Sequence, residues 1–201
     1  QTVKLQQIGS GHINRTYLLS SLRDNKKYIL QNINTQVFKD PFAIANNIKL
    51  VANYLKTHYP DYLFPAPKPT LNGDLMFAHN EDYWRLLPFV DNTTAFDTLS
   101  DPKQAYEAAK QFGKLSRLLN NFDTSLLKPT IPGFHDLKWR YDQFTFALSN
   151  ADDGLKVNAN PQIETALHHH YIVDYFSSFE KSANFPNRVM HHDTKISNVL
   201  L

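Results

Sequence analysis

Cysteine is absent from this chain of 201 residues. Disulfide frameworks and thiolate-bound metals are therefore excluded, and a reducing cytoplasm is the expected location. No stretch approaches the ~18 consecutive apolar residues of a membrane span, and the opening QTVKLQQIGS lacks the apolar core of a signal peptide. The formal net charge is only +2, which is too small to draw the chain to nucleic acid or to an anionic membrane. We therefore expect neither of these as a partner.

Hydrophobic residues make up 42% of the chain and aromatic residues 13%, which is enough for a core in one domain or in two small lobes. Short β-type runs dominate the first ninety residues: VKLQQI, RTYLLS, KKYILQNI, LMFA and YWRLLPF. One helix interrupts them, with Asp40 as its N-cap and Pro41 at its first position. The pattern predicts a strand-rich N-terminal lobe over residues 1–90.

The remainder of the chain is typical of helices. A second helix begins at Asp101 and Pro102, where apolar residues recur at helical spacing. Further helices are predicted over LKWRYDQFTFALS and, after the polar loop NADDGLKVNAN, over PQIETALHHHYIVDYFSSFEK. Residues 91–201 therefore form a helical C-terminal lobe, and the fold class is α+β in two lobes.

The segment QIGSGHINRTYLL places Gly9 and Gly11 between two predicted strands. Glycine lets the backbone turn tightly and brings N–H groups against a phosphate, because no Cβ blocks the approach. The third glycine of the dinucleotide-binding G-x-G-x-x-G motif is missing, since Asn14 stands there, and no helix follows. The Rossmann interpretation fails, whereas a phosphate-covering turn and an ordinary glycine hairpin both stay open.

The central strand KKYILQNIN bears on the same question. In a nucleotide-binding β-lobe, a strand after the glycine loop carries a lysine inward to the phosphates. Alternation places Ile29 and Gln31 on one face, while Lys26 and Lys27 fall at the solvated start of the strand. The inward residue is therefore Gln31, which forms hydrogen bonds but brings no charge. The alternative is an ordinary surface position.

The stretch RVMHHDTKISNVLL first suggests a metal cluster of His191, His192 and Asp193. Consecutive side chains on extended backbone point to opposite sides, so these residues do not converge on one ion. The triplet His168–His170 has the same defect, because neighbours on a helix splay about 100° apart. We expect it to be a solvated or half-buried helix face.

A different pattern uses the same residues. The order His191-x-Asp193, four residues and then Asn198 matches the catalytic loop of phosphoryl transfer. There the aspartate accepts or orients the proton of the attacking hydroxyl, and the asparagine supplies an oxygen to Mg²⁺. His191 would brace the loop from the core side, and Lys195 would reach a phosphate oxygen. The flanking RVM and NVLL are predicted as short strands.

These residues resemble the aminoglycoside phosphotransferase-like kinase superfamily and, within it, the bacterial N-acetylhexosamine 1-kinases. GSGHINRTYLL resembles the glycine loop of that group, YILQNINTQVFKDP its third strand and loop, and HHDTKISNVLL its catalytic loop. TIPGFHDLKWRYDQF resembles its first C-lobe segments. The resemblance spans nearly the whole chain. It implies a protein-kinase-like fold with a nucleotide-binding N-terminal lobe, and transfer of the γ-phosphoryl group of ATP, with Mg²⁺, to a small molecule.

The same resemblance assigns roles to individual residues. It makes Asp193 the catalytic base, with Lys195 beside it, and Asn198 a ligand of Mg²⁺. Expected nucleotide contacts come from the phosphate-covering turn, the central strand and the hinge beside the adenine: Gly9, Ser10, Gly11, His12, Gln31, Leu86, Leu87, Pro88, Phe89 and Val90. Expected acceptor contacts come from Asp193, His135, Asp136 and Arg140, although helix capping and solvated charge are the alternative for the last three.

Three departures from the family pattern are visible. The basic residue expected on the central strand is replaced by Gln31, and the first helix offers only Asn46 and Asn47 in place of its acidic partner. Their joint absence leaves neither charge unpaired. A second metal-binding aspartate and the helices that complete the acceptor pocket are expected beyond Leu201. We therefore expect a fragment that is inactive as it stands.

The acceptor and the activity leave alternatives open. The first expectation is the anomeric hydroxyl of an N-acetylhexosamine. An aminoglycoside, homoserine, choline or another sugar are alternatives, although a polycationic aminoglycoside would require an acidic pocket that this C-lobe does not suggest. A nucleotide-binding pseudokinase without catalysis is the third interpretation. The oligomeric state is open.

Overall fold

The computed structural model describes residues 3–9, 13–180 and 182–201. The chain divides into two compact units, one formed by Gln1–Thr130 with Arg188–Leu201 and the other by Ile131–Asn187. These units differ from the lobes expected at 1–90 and 91–201, and that lobe boundary stays a prediction. Among the described residues, no helix combines the length and the apolar character that a membrane span requires.

An antiparallel sheet occupies the first part of unit 1, and the five strands predicted within the first ninety residues are confirmed within one or two residues. Its spatial order is β1-β2-β3-β5-β4, in which the strands are β1 (Val3–Ile8), β2 (Arg15–Ser21), β3 (Lys27–Ile33), β4 (Phe77–His79) and β5 (Asp82–Pro88). The central strand β3 therefore lies between the strand that follows the glycine turn and the strand that leads to the hinge.

The register of the sheet places two rows of side chains on one face. Directly paired residues project from the same face, and so do alternate residues along a strand. The first row is polar and consists of Thr16, Gln31 and Arg85; the second is apolar and consists of Leu18, Ile29 and Leu87. Polar and apolar side chains are thus adjacent at the centre of the sheet.

Both predicted helix starts in unit 1 are confirmed. Helix α1 (Pro41–His58) begins after Asp40, whose carboxylate accepts a hydrogen bond from the Ala43 N–H at 3.0 Å. Helix α2 (Pro102–Leu118) begins after Asp101, whose carboxylate accepts one from the Lys103 N–H at 2.8 Å. In each case the proline supplies a backbone angle suited to the first turn, where its missing N–H is harmless.

The main apolar cluster of unit 1 joins α1 to the end of α2. Its buried members are Val51, Leu55, Leu118, Leu119 and Phe122. Leu55 is only 1% exposed, and full burial of a leucine contributes about 1.5–3 kcal/mol. Val189, which precedes the HHDTKISN loop, packs against this cluster. The core of the helices therefore also anchors the approach to the candidate catalytic loop.

The described residues of unit 2 form four helices: α3 (Leu137–Asn150), α4 (Asp153–Asn158), α5 (Asn160–His168) and α6 (Tyr171–Glu180). Helix α3 packs against α6, and its extent confirms the prediction for LKWRYDQFTFALS. The expectation of a loop over NADDGLKVNAN was wrong, because that segment contains α4. Asp152 starts this helix by accepting a hydrogen bond from the Gly154 N–H at 2.8 Å.

The expectation of one helix over residues 161–181 was also wrong. The helix is interrupted after His168, and only this member of the histidine triplet is helical. His170 Nδ1 lies 3.2 Å from the carbonyl oxygen of Leu167, so a side chain competes for a carbonyl that a continuing helix would use. The triplet is solvent-exposed, but it does not form one helix face.

Candidate active site

The loop over residues 191–198 is anchored at both ends. Val189 packs against the main apolar cluster, and Val199 is buried with 6% exposure. Between them, the ring of His191 lies 5.3 Å from the ring of Phe112 on α2. His191 is itself exposed, so the structure shows its contact with α2, and the bracing of the loop from the core side stays a prediction. The polar residues of the loop are held over a packed base.

The two predicted catalytic residues, Asp193 and Lys195, meet the predicted metal ligand Asn198 in this loop. Asn198 Nδ2 donates to the Asp193 carboxylate oxygen Oδ2 at 2.7 Å and to the Asp193 carbonyl oxygen at 2.8 Å. Lys195 Nζ lies 3.4 Å from the same Oδ2, and the side chains of Lys195 and Asp193 are 58% and 59% exposed. The carboxylate is therefore oriented by its neighbours yet open to an incoming hydroxyl.

The backbone just before Asp193 is strained. His192 has a φ of 62°, in the left-handed region that costs a residue with a Cβ about 1–2 kcal/mol. Such conformations persist where the surrounding structure enforces them, and they cluster at functional sites. His192 lies between His191, whose ring contacts Phe112, and Asp193, whose carboxylate is exposed.

The flanks of the loop differ from the prediction of two short strands. The described residues of RVM and NVLL contain no strand; a 3-10 turn spans Ile196–Asn198 instead. Leu201 pairs with a distant segment: its N–H donates to the Thr94 carbonyl at 3.1 Å, and its carbonyl accepts from the Thr94 N–H at 2.8 Å. This pair ties the end of the loop to the segment that follows β5.

Asn198 is the residue of this loop that the sequence predicts as a metal ligand. Within the described hydrogen bonds Asn198 uses only its Nδ2, so its amide oxygen is available, and amide oxygens are suitable ligands for Mg²⁺. One oxygen does not make a metal site. Over the ranges 3–9, 13–180 and 182–201, no group of three histidine, cysteine or acidic side chains is arranged to hold an ion.

Gln31 lies within a hydrogen-bonded chain across the sheet. Its Nε2 donates to Thr16 Oγ1 at 3.1 Å, and its Oε1 accepts from Arg85 Nε at 2.9 Å and from Arg85 Nη2 at 2.6 Å. The half-buried Arg85 was missed in the sequence, where it was taken as part of an ordinary strand. Its position, two residues before the inward Leu87, is the signal that could have identified an inward charge.

Of the two asparagines that stand on α1 where an acidic partner is expected, Asn47 has structural contacts of its own. Asn47 donates from Nδ2 to the Lys128 carbonyl at 2.7 Å and accepts from the Lys128 N–H at 3.0 Å. It therefore holds a loop of unit 1, and Asn46 is exposed. The hydrogen bonds of Gln31 run along the sheet rather than to α1.

The predicted phosphate-covering turn is described only at its first residue. Gly9 has a φ of +84° with open space around it, a conformation that favours glycine strongly. Ser10, Gly11 and His12 lie outside the described residues. The turn is followed by β2, whose second residue is Thr16.

The predicted hinge is fixed from several sides. The Leu86 carbonyl accepts a hydrogen bond from the Lys68 N–H at 2.6 Å, and Lys27 Nζ lies 5.3 Å from the centre of the Phe89 ring. The Val90 carbonyl accepts from Thr93 Oγ1 at 2.8 Å. Leu87 and Pro88 pair with Ile29 and Tyr28 on β3. The segment is thus a continuation of the sheet that carries the polar and apolar rows.

The three expected acceptor residues lie in unit 2, where each has a structural contact. Asp136 caps α3 by accepting from the Trp139 N–H at 2.9 Å. Arg140 Nε donates to the Phe134 carbonyl at 3.1 Å, and its guanidinium stacks against the Phe134 and Trp139 rings. The His135 ring lies 4.9 Å from that of Phe134. The capping alternative therefore holds for Asp136, while contact with an acceptor stays a prediction.

Comparisons with known proteins identify the family and the fold of the chain. Residues 4–201 match the model of the phosphotransferase enzyme family. A crystal structure of spectinomycin phosphotransferase with ADP and spectinomycin has a TM-score of 0.58 at 19% identity and is matched by 100% of this chain. Its AMP-bound complex has a TM-score of 0.57 at 21% identity and is matched by 98% of the chain. The chain spans 60% of each of those proteins, and the likeness confirms the α+β fold.

Proposed function

This chain belongs to the phosphotransferase enzyme family, and we propose that the protein transfers the γ-phosphoryl group of ATP to a hydroxyl of a small molecule. The observation that carries the proposal is the Asp193 carboxylate. It is exposed, it is held by Asn198 at 2.7 Å, and it has an ammonium group 3.4 Å away. A carboxylate in this setting can act as a general base toward an alcohol.

In the proposed step, Asp193 takes the proton of the acceptor hydroxyl. The acceptor oxygen forms a bond to the γ-phosphorus while the bond from that phosphorus to the β–γ bridging oxygen breaks, and ADP leaves with the electron pair. Lys195 stabilises charge on the transferring phosphoryl oxygens. Asn198 keeps the carboxylate oriented and would offer its amide oxygen to Mg²⁺, which when bound neutralises phosphate charge.

The nucleotide would occupy the face of the sheet that carries the two rows. The apolar Leu18, Ile29 and Leu87 suit a planar adenine beside the Leu86–Val90 hinge, since aromatic ligands bind apolar walls with a few polar groups at the edge. The polar row and the turn at Gly9 suit the phosphates. We place the reaction in the cytoplasm, where ATP is supplied.

The proposed acceptor is an N-acetylhexosamine phosphorylated at its anomeric hydroxyl, with His135, Asp136 and Arg140 as contacts. A panel of acceptors in the full-length protein, with ADP release as the readout, tests this choice. N-acetylhexosamines are compared with simple sugars, homoserine, choline, aminoglycosides and spectinomycin, the last because proteins of this fold include spectinomycin phosphotransferase. Turnover with another member alone would replace the amino sugar and leave phosphoryl transfer intact.

Replacing Asp193 with asparagine tests the catalytic assignment. The amide keeps the size of the side chain but accepts no proton, so kcat is expected to fall by at least about 100-fold while the affinity for ATP is retained. The matched control is Asp24→Asn, which removes another exposed carboxylate paired with a lysine, at 3.1 Å from Lys26 Nζ. Near-normal turnover in Asp193→Asn would remove Asp193 as the base.

A further inference from the structure

The side chain of Arg85 reaches from β5 to the tip of a side chain on β3. Its guanidinium donates two hydrogen bonds to Gln31 Oε1, at 2.9 and 2.6 Å. The guanidinium therefore lies where a long side chain of the central strand would end. Thr16 completes the arrangement by accepting from Gln31 Nε2 at 3.1 Å, which fixes the amide so that its carbonyl oxygen faces the arginine.

This cation has no counter-ion in the described part of the chain. The ion pairs there involve Arg15, Lys26, Lys110, Lys138, Lys156 and Lys195, and Arg85 is in none of them. Burial lowers the pKa of the Arg85 guanidinium below its usual value, but arginine stays protonated in proteins. A half-buried positive charge held only by a neutral amide is costly. Such a charge is satisfied when an anion binds beside it.

We propose that Arg85 is a phosphate-binding residue of the nucleotide site, with Gln31 and Thr16 as the residues that position it. This inference rests on the proposed function. The donors that Gln31 leaves unused include both hydrogens of Nη1, and a guanidinium edge matches two phosphate oxygens in bidentate fashion. The positive charge that the family pattern expects on the central strand thus comes from Arg85 on β5. Gln31, which occupies the expected position on the central strand, holds that arginine in place.

The position of Arg85 within the sheet favours phosphate over other anions. Its row lies next to the apolar row of Leu18, Ile29 and Leu87 on the same face. Thr16, in the row of Arg85, belongs to the strand that follows the glycine turn. A ligand that contacts both rows carries a flat apolar group and an anionic group in close succession, which is the chemistry of a nucleoside phosphate.

Binding of adenosine, AMP, ADP and ATP to the full-length protein tests the inference. Arg85→Gln is expected to lower the affinity for ADP and ATP by about 10- to 100-fold, because one charge-assisted contact to phosphate is lost. Adenosine binding is expected to stay the same, because it has no phosphate. A purely structural role for Arg85 would weaken adenosine to the same extent, and that result would overturn the inference.

Arg15→Gln is the matched control. This arginine of β2 is held by Asn32, the neighbour of Gln31 on β3, but it projects from the opposite face and has Asp82 at 3.5 Å. We expect unchanged affinity for the whole nucleotide series. An equal loss of ATP affinity in both variants would indicate a general charge effect and contradict a specific site at Arg85.

The outcomes separate this inference from the proposed function. If nucleotide binding depends on the phosphates and Arg85→Gln abolishes that dependence, but the wild type transfers no phosphoryl group, the phosphate site at Arg85 stands and the proposed kinase activity falls. If the wild type is an active kinase and the folded Arg85→Gln variant binds ATP normally, the phosphate site at Arg85 is overturned and the proposed function stands. A wild type that binds ATP no better than adenosine overturns both. If Arg85→Gln does not fold, Arg85→Lys is used instead. Lysine lacks the bidentate guanidinium, so ATP affinity is expected to fall several-fold while adenosine affinity stays the same. ATP affinity equal to that of the wild type would overturn the inference.

Discussion

The two faces of the sheet hold an arginine in nearly the same way and differ in one group. Gln31 and Asn32 are neighbours on β3, and each accepts two hydrogen bonds from a guanidinium, Gln31 from Arg85 and Asn32 from Arg15. On the Asn32 face, Asp82 lies 3.5 Å from Arg15 and also accepts from Asn32 Nδ2 at 3.0 Å. On the Gln31 face, no described carboxylate pairs with Arg85.

Electrostatics alone would favour a carboxylate beside Arg85 rather than beside Arg15. The side chain of Arg15 is 61% exposed, so water could solvate it without a partner. Arg85 is half-buried and needs compensation more. The difference is explained if the Gln31 face is left open for an anionic ligand, whereas the Asn32 face is a closed structural network. The same type of substitution is therefore expected to have opposite effects on the two faces.

Asn32→Asp is expected to give the largest change in stability. Asn32 is only 4% exposed, and a carboxylate there replaces a hydrogen bond to Asp82 with repulsion between like charges. We expect a loss of about 1–3 kcal/mol in the free energy of unfolding, measured by denaturant titration, with the affinity for ATP retained by the folded protein. Weaker ATP binding with an unchanged free energy of unfolding would contradict the view that the Asn32 face is structural and the Gln31 face binds nucleotide.

Gln31→Glu is the corresponding change on the open face. The new carboxylate keeps the acceptor for Arg85 and neutralises its charge, so the free energy of unfolding is expected to change by less than about 1 kcal/mol. ATP affinity is expected to fall by about tenfold or more, because the phosphates then meet a neutral pair. Calorimetric titration with ATP measures this affinity. Undiminished affinity would show that this face does not receive phosphate.

Asp82→Asn opens the closed face and is expected to have the smallest effect. The Arg15–Asp82 pair is exposed on both sides, and such pairs contribute about 0–1 kcal/mol. Thermal unfolding should shift little, and ATP affinity should stay the same even though Arg15 is then unpaired. A gain in nucleotide affinity would mean that an unpaired arginine on either face is sufficient, which contradicts the role of the apolar row.

Local signals predicted much of this structure. The strands follow alternation, and the starts of α1 and α2 follow Asp-Pro pairs that fit helix capping. The Asp193–Asn198 contact follows from a spacing of five residues within one loop. These features are set by neighbours in the chain, so a single sequence contains them.

The features that the sequence did not reveal depend on contacts between distant segments or on competition for one hydrogen bond. The Gln31–Arg85 bond joins residues 54 positions apart, and it follows only from the register of β3 against β5. The helix break after His168 depends on a side chain reaching the Leu167 carbonyl. Helical periodicity continues through that point, which is why the interruption was missed.

Phosphorus NMR of the full-length protein with ATP and an N-acetylhexosamine is the most direct test of the central claim. It follows the γ-phosphorus and shows where that atom goes. We predict a new phosphate-ester resonance that grows as ATP becomes ADP, and at least about 100-fold slower growth in Asp193→Asn. No ester with any acceptor of the panel, or equal rates in wild type and Asp193→Asn, would contradict the account.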